Sequence, residues 1–364
     1  MRIVLAAFIA LHGLIHLLGP AKAFGWANVN QLRSSISHGM GLVWLLAAVL
    51  LVVGAASLAV RAGWWWYPTL AGLVFSQGLI VSAWGDAKFG TIANVIILVP
   101  LLITAVDTRS SSFSARFAHD RSALLSRPFA AATVVSENDL TSLPPLMQKY
   151  LRNLGVVGRE RVRNVQVTFN AQMRSSATSP WMESTATQYE SFFPPARLFH
   201  MNASRSGVPF DVFHRYVGDS ATFQVRIVGL ISMVNKSGAG LTNDETVTLM
   251  NDILVMAPAA ALDLPFIFET TGDHTLRATF RNAGYTVAAE LTFDDAGDLV
   301  GFHSADRAHD REGGAAIWST PISGYRLVDG IRIGTQGDAN WIDAAGEWTY
   351  GRFQITSIAY NVTR

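Results

Sequence analysis

The chain has 364 residues, of which 28 are Lys or Arg and 27 are Asp or Glu, so its formal net charge is +1. This near balance argues against electrostatic binding of nucleic acid. Half of the residues are hydrophobic and only 15% are charged, which is too apolar for an ordinary soluble domain and excludes intrinsic disorder. The chain contains no cysteine, which excludes disulfides, thiolate metal sites and cysteine nucleophiles.

Charged residues are scarce in the first 106 positions, where only six occur, with a net charge of +4, against −3 for the remainder. Four stretches there carry no charge at all, and each is about as long as a helix that crosses roughly 30 Å of hydrocarbon. They are 3–21, 34–60, 62–85 and 89–106. Because an isolated segment in lipid must satisfy its own backbone hydrogen bonds, residues 1–106 are predicted to form four transmembrane helices, with the lipid bilayer as their partner.

The first stretch has a second interpretation as a cleaved secretory signal. Such a signal begins with a basic residue and an apolar run, which Arg2 and the residues after it provide. It ends at small residues, which Ala21 and Ala23 provide as a cleavage site. His12 and His16 interrupt the apolar run, which favours a transmembrane helix that is retained.

The distribution of basic residues indicates an orientation in the membrane. With the N-terminus inside, five basic residues near the helix ends would lie on the cytoplasmic side and three on the other. The first group is Arg2, Arg61, Arg109, Arg116 and Arg121, and the second is Lys22, Arg33 and Lys88. This majority places the C-terminal part in the cytoplasm, and a cleaved first segment followed by three helices would place it there too.

Residues 107–141 are predicted to form a linker, with one short amphipathic turn at most, because they carry scattered charges and no sustained apolar period. Residues 142–364 form the second predicted domain. A helix is expected over 143–154, ended by Gly155. A second helix is expected from Thr242, a capping residue with Glu245 at the capping-box spacing, to near Pro258.

Strands dominate the rest of the second domain, because hydrophobic and polar residues alternate there from about Val165 onward. Asp329-Gly330 is the strongest hairpin signal, since a type I′ turn needs positive φ at both central residues. About ten strands and about two helices predict an α+β domain built on one curved antiparallel sheet, half-closed like part of a barrel.

Several motifs resemble those of an uncharacterised bacterial family, a domain of unknown function, over nearly the whole chain. They include His12-Gly-Leu-Ile-His16, Trp84-Gly-Asp86-Ala-Lys88-Phe-Gly90, Phe192-Phe193-Pro194-Pro195 and Trp348-Thr-Tyr350-Gly-Arg352-Phe353. The C-terminal part is similar in pattern to the half-barrels of lipoprotein-sorting and lipid-carrier proteins. The resemblance implies this architecture for the chain and attaches no reaction to it.

Three histidines of the first region raise the alternative of a membrane redox or metal protein. His12 and His16 lie four residues apart, so a helix would place both imidazoles on one face, with His38 at the mouth of the second helix. Neutral imidazole binds haem and transition metals. The opposing interpretation, that these histidines hydrogen-bond to neighbouring helices, is favoured because two histidines make an incomplete metal site.

Motifs for catalysis and for metal or phosphate binding are absent from the second domain. The densest group of possible metal ligands lacks the His-Glu-x-x-His spacing of a zinc helix. It consists of His303, Asp306, His309, Asp310 and Glu312. These residues are expected to belong to a strand that runs into a solvated loop. There is no Gly-x-Ser-x-Gly elbow and no phosphate-binding glycine loop. No cofactor or metal is therefore predicted, and the sequence decides neither for nor against enzymatic activity.

Aromatic residues of the second domain are the remaining functional signal. A half-closed sheet lined by them would form an apolar cavity able to hold an acyl chain. The predicted ligand-binding residues are Phe199, Phe213, Tyr216, Phe223, Trp318, Tyr325, Trp341, Trp348 and Tyr350. The favoured function is membrane-anchored binding or handling of a lipid or other apolar molecule, and a structural module that binds a partner protein is a further alternative.

Overall fold

A computed structural model describes residues 2–30, 32–128, 133–308 and 316–363. The chain divides into two compact units, Met1–Arg109 and Ser110–Arg364. The first is called the helical unit and the second the sheet unit.

The helical unit consists of apolar helices. They are α1 (Arg2–Ile15), α2 (Leu18–Ala23), α3 (His38–Ala59), α4 (Trp66–Ser82), α5 (Trp84–Ala87) and α6 (Gly90–Asp107). Three segments are long and apolar enough to cross a membrane, namely Arg2–Ala23, His38–Ala59 and Gly90–Asp107. The third of the four predicted spans is α4, which has 17 residues and is not among these three, so only three of the predicted spans are supported by length and composition.

Small residues let these helices approach each other closely, as is common for helices in lipid. A Cβ atom placed on Gly54 of α3 would lie 2.2 Å from Oγ1 of Thr69 in α4. A Cβ atom on Gly72 of α4 would lie 2.9 Å from Cγ of Leu51 in α3. Glycine is therefore required at both positions for α3 and α4 to pack as they do.

The sheet unit carries most of the secondary structure. Its helices are α7 (Phe113–Leu125), α8 (Glu137–Leu140), α9 (Pro145–Leu154) and α10 (Ala239–Met256), and a 3-10 turn covers Pro258–Leu262. Its strands are β1 (Asn164–Met173), β2 (Met182–Phe192), β3 (Pro195–Arg205), β4 (Val208–Val217), β5 (Ser220–Ile227), β6 (Ile231–Ser237), β7 (Phe266–Gly272), β8 (Thr275–Asn282), β9 (Tyr285–Phe293), β10 (Leu299–Ser304), β11 (Ile317–Ser323), β12 (Arg326–Val328), β13 (Ile331–Ile333), β14 (Gln336–Asp343) and β15 (Gly346–Tyr360).

Thirteen of these strands form one antiparallel sheet, in the order β6-β5-β4-β3-β2-β1-β15-β14-β11-β10-β9-β8-β7. The sheet is not closed, because β6 and β7 are its two edges. The predicted large antiparallel sheet is therefore confirmed. The remaining two strands, β12 and β13, pair as a separate hairpin.

Helix α10 occupies one face of the sheet and joins its two edge strands in the chain. Twelve of its eighteen residues are buried, so it is surrounded by protein on most sides. It contacts β5 and β6 near one edge and β9 and β10 near the other. A single helix can reach both groups of strands only if the sheet curves around it. Helix α9 packs beside α10, and the hydroxyl of Tyr150 donates a hydrogen bond of 2.9 Å to the carbonyl of Leu254.

Helix α7 covers the opposite face of the sheet. Its buried residues Phe113 and Phe117 form one apolar cluster with Leu198 and Phe213 of the sheet. This helix lies inside the predicted linker 107–141. The linker prediction rested on the scattered charges and the lack of a sustained apolar period in that stretch. Three spaced apolar residues, with Leu124 as the third, are nevertheless enough to bury one side of α7.

Turn chemistry explains which local predictions are correct. The predicted helix before Gly155 is present as α9, and Gly155 ends it with φ of 73°. The Asp329-Gly330 hairpin is confirmed, since both residues have positive φ, at 50° and 75°. Strands β5 and β6 are joined by a turn at Val228 and Gly229, where φ is also positive.

The predicted capping of the second helix is wrong. Helix α10 begins at Ala239, three residues before Thr242, and the Thr242 hydroxyl donates back to the carbonyl of Gly238 from inside the helix. Glu245 therefore lies in the second turn and does not cap. Its carboxylate instead contacts Arg197 of β3 and His214 of β4.

Candidate functional site

A cavity of about 240 Å³ lies between α10 and the sheet in the sheet unit. Residues of β1 to β5, α10, β11, β14 and β15 line it. Its apolar lining consists of Phe169, Met173, Phe199, Met201, Val212, Phe223, Val255, Met256, Trp318, Ala339, Tyr350, Phe353 and Ile355. Its ionisable lining residues are Arg197, His214, Glu245, Asp252, Arg307 and Asp338.

One wall of the cavity is a row of side chains that crosses four neighbouring strands. The strand registers pair Gln188 of β2 with Phe199 of β3, Phe199 with His214 of β4, and His214 with Phe223 of β5. Directly opposed residues on antiparallel strands project from the same face of the sheet. The imidazole of His214 consequently lies 4.3 Å from the ring centre of Phe223 and 5.8 Å from that of Phe199.

The guanidinium group of Arg197 is buried at one end of this row. Its Nε lies 2.7 Å from Oδ2 of Asp252, and its Nη1 lies 3.0 Å from Oε2 of Glu245. Burial opposes the charge of Arg197, but the two carboxylates outweigh it and raise the pKa of the guanidinium above its usual value. Arg197 therefore joins β3 to α10 through two ion pairs in the interior.

Glu245 has a second partner in His214. Their Nδ1 and Oε1 atoms are 2.6 Å apart. Burial alone would raise the pKa of Glu245, but His214 and Arg197 lower it to about 2, so this carboxylate is ionised at neutral pH. An ionised carboxylate only accepts hydrogen bonds, which makes Nδ1 of His214 the donor.

Glu190 lies behind this cluster and is completely buried. The amide of Gln188 donates a hydrogen bond of 2.8 Å to its Oε1. Burial and the charge of Asp252 raise the pKa of Glu190 well above its usual value. Glu190 is therefore a carboxyl group whose ionisation the fold opposes, beside the two acids that pair with Arg197.

The opposite wall carries a second cation, Arg307. Its guanidinium carbon lies 4.4 Å from the ring centre of Trp318, within the range of a cation–π contact. The indole Nε1 of Trp318 donates a hydrogen bond of 2.9 Å to the hydroxyl of Tyr350. Arg307 contributes to the low pKa of Glu245, so the charges of the two walls interact across the cavity.

Four of the nine predicted ligand-binding residues line the cavity, namely Phe199, Phe223, Trp318 and Tyr350. Trp341 and Trp348 lie beside it, with ring centres 6.1 Å and 6.2 Å from that of Tyr350.

The remaining three predicted residues lie elsewhere. Phe213 belongs to the other face of the sheet, 5.7 Å from Phe113 of α7. Tyr216 is buried in the core, with its hydroxyl 2.9 Å from that of Thr246. The hydroxyl of Tyr325 donates to the carbonyl of Leu299 at 2.8 Å.

Arg197, His214, Glu245 and Asp252 were not predicted as site residues. One signal of their role is present in the sequence. Glu245 and Asp252 are seven residues apart, so they lie on the same side of a helix whose other buried residues are mostly apolar or small. Two acids on a buried helix face require partners, and they indicate a polar site inside the domain.

Two of the three histidines of the helical unit come together, because the ring centres of His12 and His16 are 5.0 Å apart. Nε2 of His12 lies 2.8 Å from Oδ1 of Asn94, and Nε2 of His16 lies 2.8 Å from the hydroxyl of Ser76. His38 instead stacks on Phe24, with a ring separation of 5.3 Å.

No group of three or more metal-ligating side chains occurs in the parts of the chain that the structure describes. Of the histidine and acid cluster near residue 306, His309, Asp310 and Glu312 lie outside the described residues.

Residues 133–353 match the model of a family of unknown function, DUF6544. The match covers more than half of the chain, so the protein belongs to this family. No curated protein matches the chain.

Solved structures that match part of the chain include a domain from Vibrio parahaemolyticus described as an outer membrane lipoprotein-sorting protein domain. It has 9% sequence identity and a TM-score of 0.35, and the match covers 70% of this chain and 94% of that one. A DUF1329 family protein from Desulfovibrio piger ATCC 29098 has 10% identity and a TM-score of 0.33, with 56% and 88% coverage.

Proposed function

We propose that this DUF6544 protein binds a lipid or another molecule with a long apolar part in the cavity of its sheet unit, while the helical unit holds it in a membrane. The observation that carries the proposal is the cavity between α10 and the curved sheet, with its mostly apolar and aromatic lining. Such a lining, with a few polar groups in fixed positions, is typical of sites for small apolar ligands.

The size of the cavity supports a binding role. Protein interiors are close-packed, and a large void lowers stability in proportion to its volume. A space of about 240 Å³ is much larger than the gaps of a close-packed interior, and its mostly apolar lining suits part of an apolar ligand.

The proposal includes the predicted topology of four transmembrane helices with the sheet unit in the cytoplasm. Helix α4 is one residue shorter than the 18 residues of α6. Its side chains Leu70, Val74 and Val81 are exposed apolar groups, as a helix in lipid requires. Four crossings would return the chain to the side on which it begins.

The binding proposal is tested by filling the cavity. Val255 of α10 lines it, and in the Val255→Trp variant the larger side chain would occupy space that the ligand needs. Val208, an exposed residue at the start of β4, gives the matched control Val208→Trp. The full chain is purified in detergent, and the lipids that remain bound are identified and counted by mass spectrometry.

We expect the parent protein and Val208→Trp to retain one more bound apolar molecule per chain than Val255→Trp. Lipid around the helical unit is common to all three proteins and cancels in this comparison. Equal amounts of bound lipid in the three proteins would contradict binding in the cavity.

A further inference from the structure

We infer that the cavity selects a ligand whose polar end is uncharged and accepts hydrogen bonds, such as the ester or amide carbonyl of an acyl chain. This inference rests on the proposed binding function and adds the chemistry of the ligand's polar end. Its basis is the contrast between the charged groups of the cavity, which have partners, and two neutral groups that lack them.

Two residues that line the cavity carry a buried polar atom without a hydrogen-bond partner among the described residues. They are Nδ2 of Asn251 on α10 and Oγ1 of Thr320 on β11. Their exposed fractions are 5% and 8%. A buried polar group without a partner lowers stability, so a bound molecule that accepts hydrogen bonds from these groups would recover that loss.

Other neutral polar residues of the same lining are already satisfied by the protein. The hydroxyl of Thr248 donates to the carbonyl of Asp244 at 2.9 Å, and that of Thr335 donates to the carbonyl of Gly324 at 2.8 Å. Asn251 and Thr320 therefore differ from these neighbours in having a polar atom that no described protein group satisfies.

Most of the ionisable residues that line the cavity contact an acid, a base or an aromatic ring. Arg197 is paired with Glu245 and Asp252, and Glu245 is also paired with His214. Arg307 faces the ring of Trp318 and contributes to the field at Glu245. On the remaining wall, Asp338 is the register partner of Arg352.

A charged ligand end would disturb these contacts. A carboxylate would meet the ionised Glu245, and an ammonium group would compete with the guanidinium of Arg197. Either would place an additional charge in an interior that already holds matched pairs, which is costly. An uncharged carbonyl adds no charge and still accepts hydrogen bonds from Asn251 and Thr320.

The inference is tested with four probes that share one 16-carbon chain and differ in the polar end. These are hexadecane, methyl palmitate, palmitate and hexadecylamine. Each competes with a fluorescent apolar dye for the full-length protein in a fluorinated surfactant, which mixes poorly with alkyl chains. We expect methyl palmitate to bind about tenfold more tightly than hexadecane, the effect of one or two net hydrogen bonds, and more tightly than either charged probe.

Three variants connect this preference to the residues. Asn251→Leu and Thr320→Val remove the donors while nearly conserving volume, and each is expected to reduce the preference for the ester over hexadecane several-fold. Thr248→Val is the matched control, because its hydroxyl already donates to Asp244. Hexadecane should bind all the variants as it binds the parent, which also reports that the cavity is folded.

Tightest binding of palmitate or hexadecylamine would overturn the inference and leave the proposed function intact. The same holds if the ester preference is unchanged in both Asn251→Leu and Thr320→Val. If the parent protein binds none of the four probes, the proposed function itself fails.

Discussion

Nδ1 of His214 on β4 donates a hydrogen bond to Oε1 of Glu245 on α10 across 2.6 Å. The other carboxylate oxygen of Glu245 accepts from Arg197 on β3, so one acid of the helix joins it to two neighbouring strands. Because Nδ1 of His214 is held by this hydrogen bond, the imidazole has a fixed orientation beside the cavity. The polar wall of the cavity is thus held by the same interactions that hold the helix against the sheet.

Replacing Arg197 with methionine should destabilise the sheet unit strongly. The change leaves the carboxylates of Glu245 and Asp252 buried without their cation, and removing one partner of a buried ion pair typically costs about 3–5 kcal/mol. Arg205→Met, an exposed position of the same strand, is the control and should change stability by less than about 0.5 kcal/mol. Urea unfolding of the full-length protein, followed by hydrogen exchange in β2 and β3, measures both. Equal stability of the two variants would contradict a stabilising role for the ion pairs of Arg197 with Glu245 and Asp252.

Glu190→Gln should stabilise the sheet unit increasingly as the pH rises. The pKa of Glu190 is raised in the folded protein above its ordinary value of 4.5. The unfolded chain therefore releases this proton from about pH 4.5 upward while the folded protein retains it, which lowers the parent's stability as the pH rises. Glutamine resembles the protonated acid and does not titrate. We expect the difference in unfolding free energy between variant and parent to grow from pH 5 to pH 8.

Glu245 does not obscure this measurement, because the pKa of Glu245 is lowered to about 2. Its stabilising contribution is present above about pH 4.5, is lost as the pH falls towards 2, and is constant between pH 5 and pH 8. Glu183→Gln, at an exposed position of the same strand β2, is the control. A difference that stays constant with pH in Glu190→Gln would show that Glu190 is ionised in the folded protein.

Gly54→Val should disrupt the packing of α3 against α4. Its Cβ atom would lie 2.2 Å from Oγ1 of Thr69 and 3.2 Å from the Thr69 backbone nitrogen, which cannot move without the helix. Overpacking of this kind costs about 1–3 kcal/mol or more. Gly78→Val in α4, where no atom lies within 4 Å of the added Cβ, is the control. Thermal unfolding in detergent should show a lower midpoint for Gly54→Val alone.

The number of membrane crossings can be read from two engineered cysteines, since the natural chain has none. Asn28→Cys lies in the exposed segment between α2 and α3, and Ser179→Cys lies in the turn between β1 and β2. Four crossings place the two positions on opposite sides of the membrane, whereas three crossings that omit α4 place them on the same side. A thiol reagent that cannot cross membranes, applied to intact cells, is expected to label Asn28→Cys and to leave Ser179→Cys unlabelled until lysis.

The redox alternative predicts a bound haem or metal at the histidines of the helical unit. The Nε2 atoms of His12 and His16 are occupied by Asn94 and Ser76, so we expect the purified protein to show no Soret band in its visible absorption spectrum. A Soret band that disappears in His16→Ala would contradict this expectation and would support haem binding by the helical unit.

The sequence by itself determined the division of the chain into an apolar helical part and a strand-rich part. Long stretches without charge favour helices, because a segment in lipid must satisfy its own backbone hydrogen bonds. The alternation of apolar and polar residues from Val165 onward is typical of strands with one buried and one exposed face. It also determined the Asp329-Gly330 turn, because few residue pairs accept positive φ at both positions. All these features depend on interactions between residues close in the sequence.

Only the tertiary structure decided which residues form the cavity. Phe213 and His214 are neighbours on β4, and strand alternation requires that they point to opposite faces, but it does not say which face α10 will cover. Helix α10 covers the face of His214, so Phe213 packs against α7. Arg197 likewise meets Glu245 and Asp252 only because the chain returns across the sheet, since the paired positions are 48 and 55 apart in the sequence. The sequence places the two acids on one side of a helix, but their pairing with Arg197 follows from the packing of whole elements.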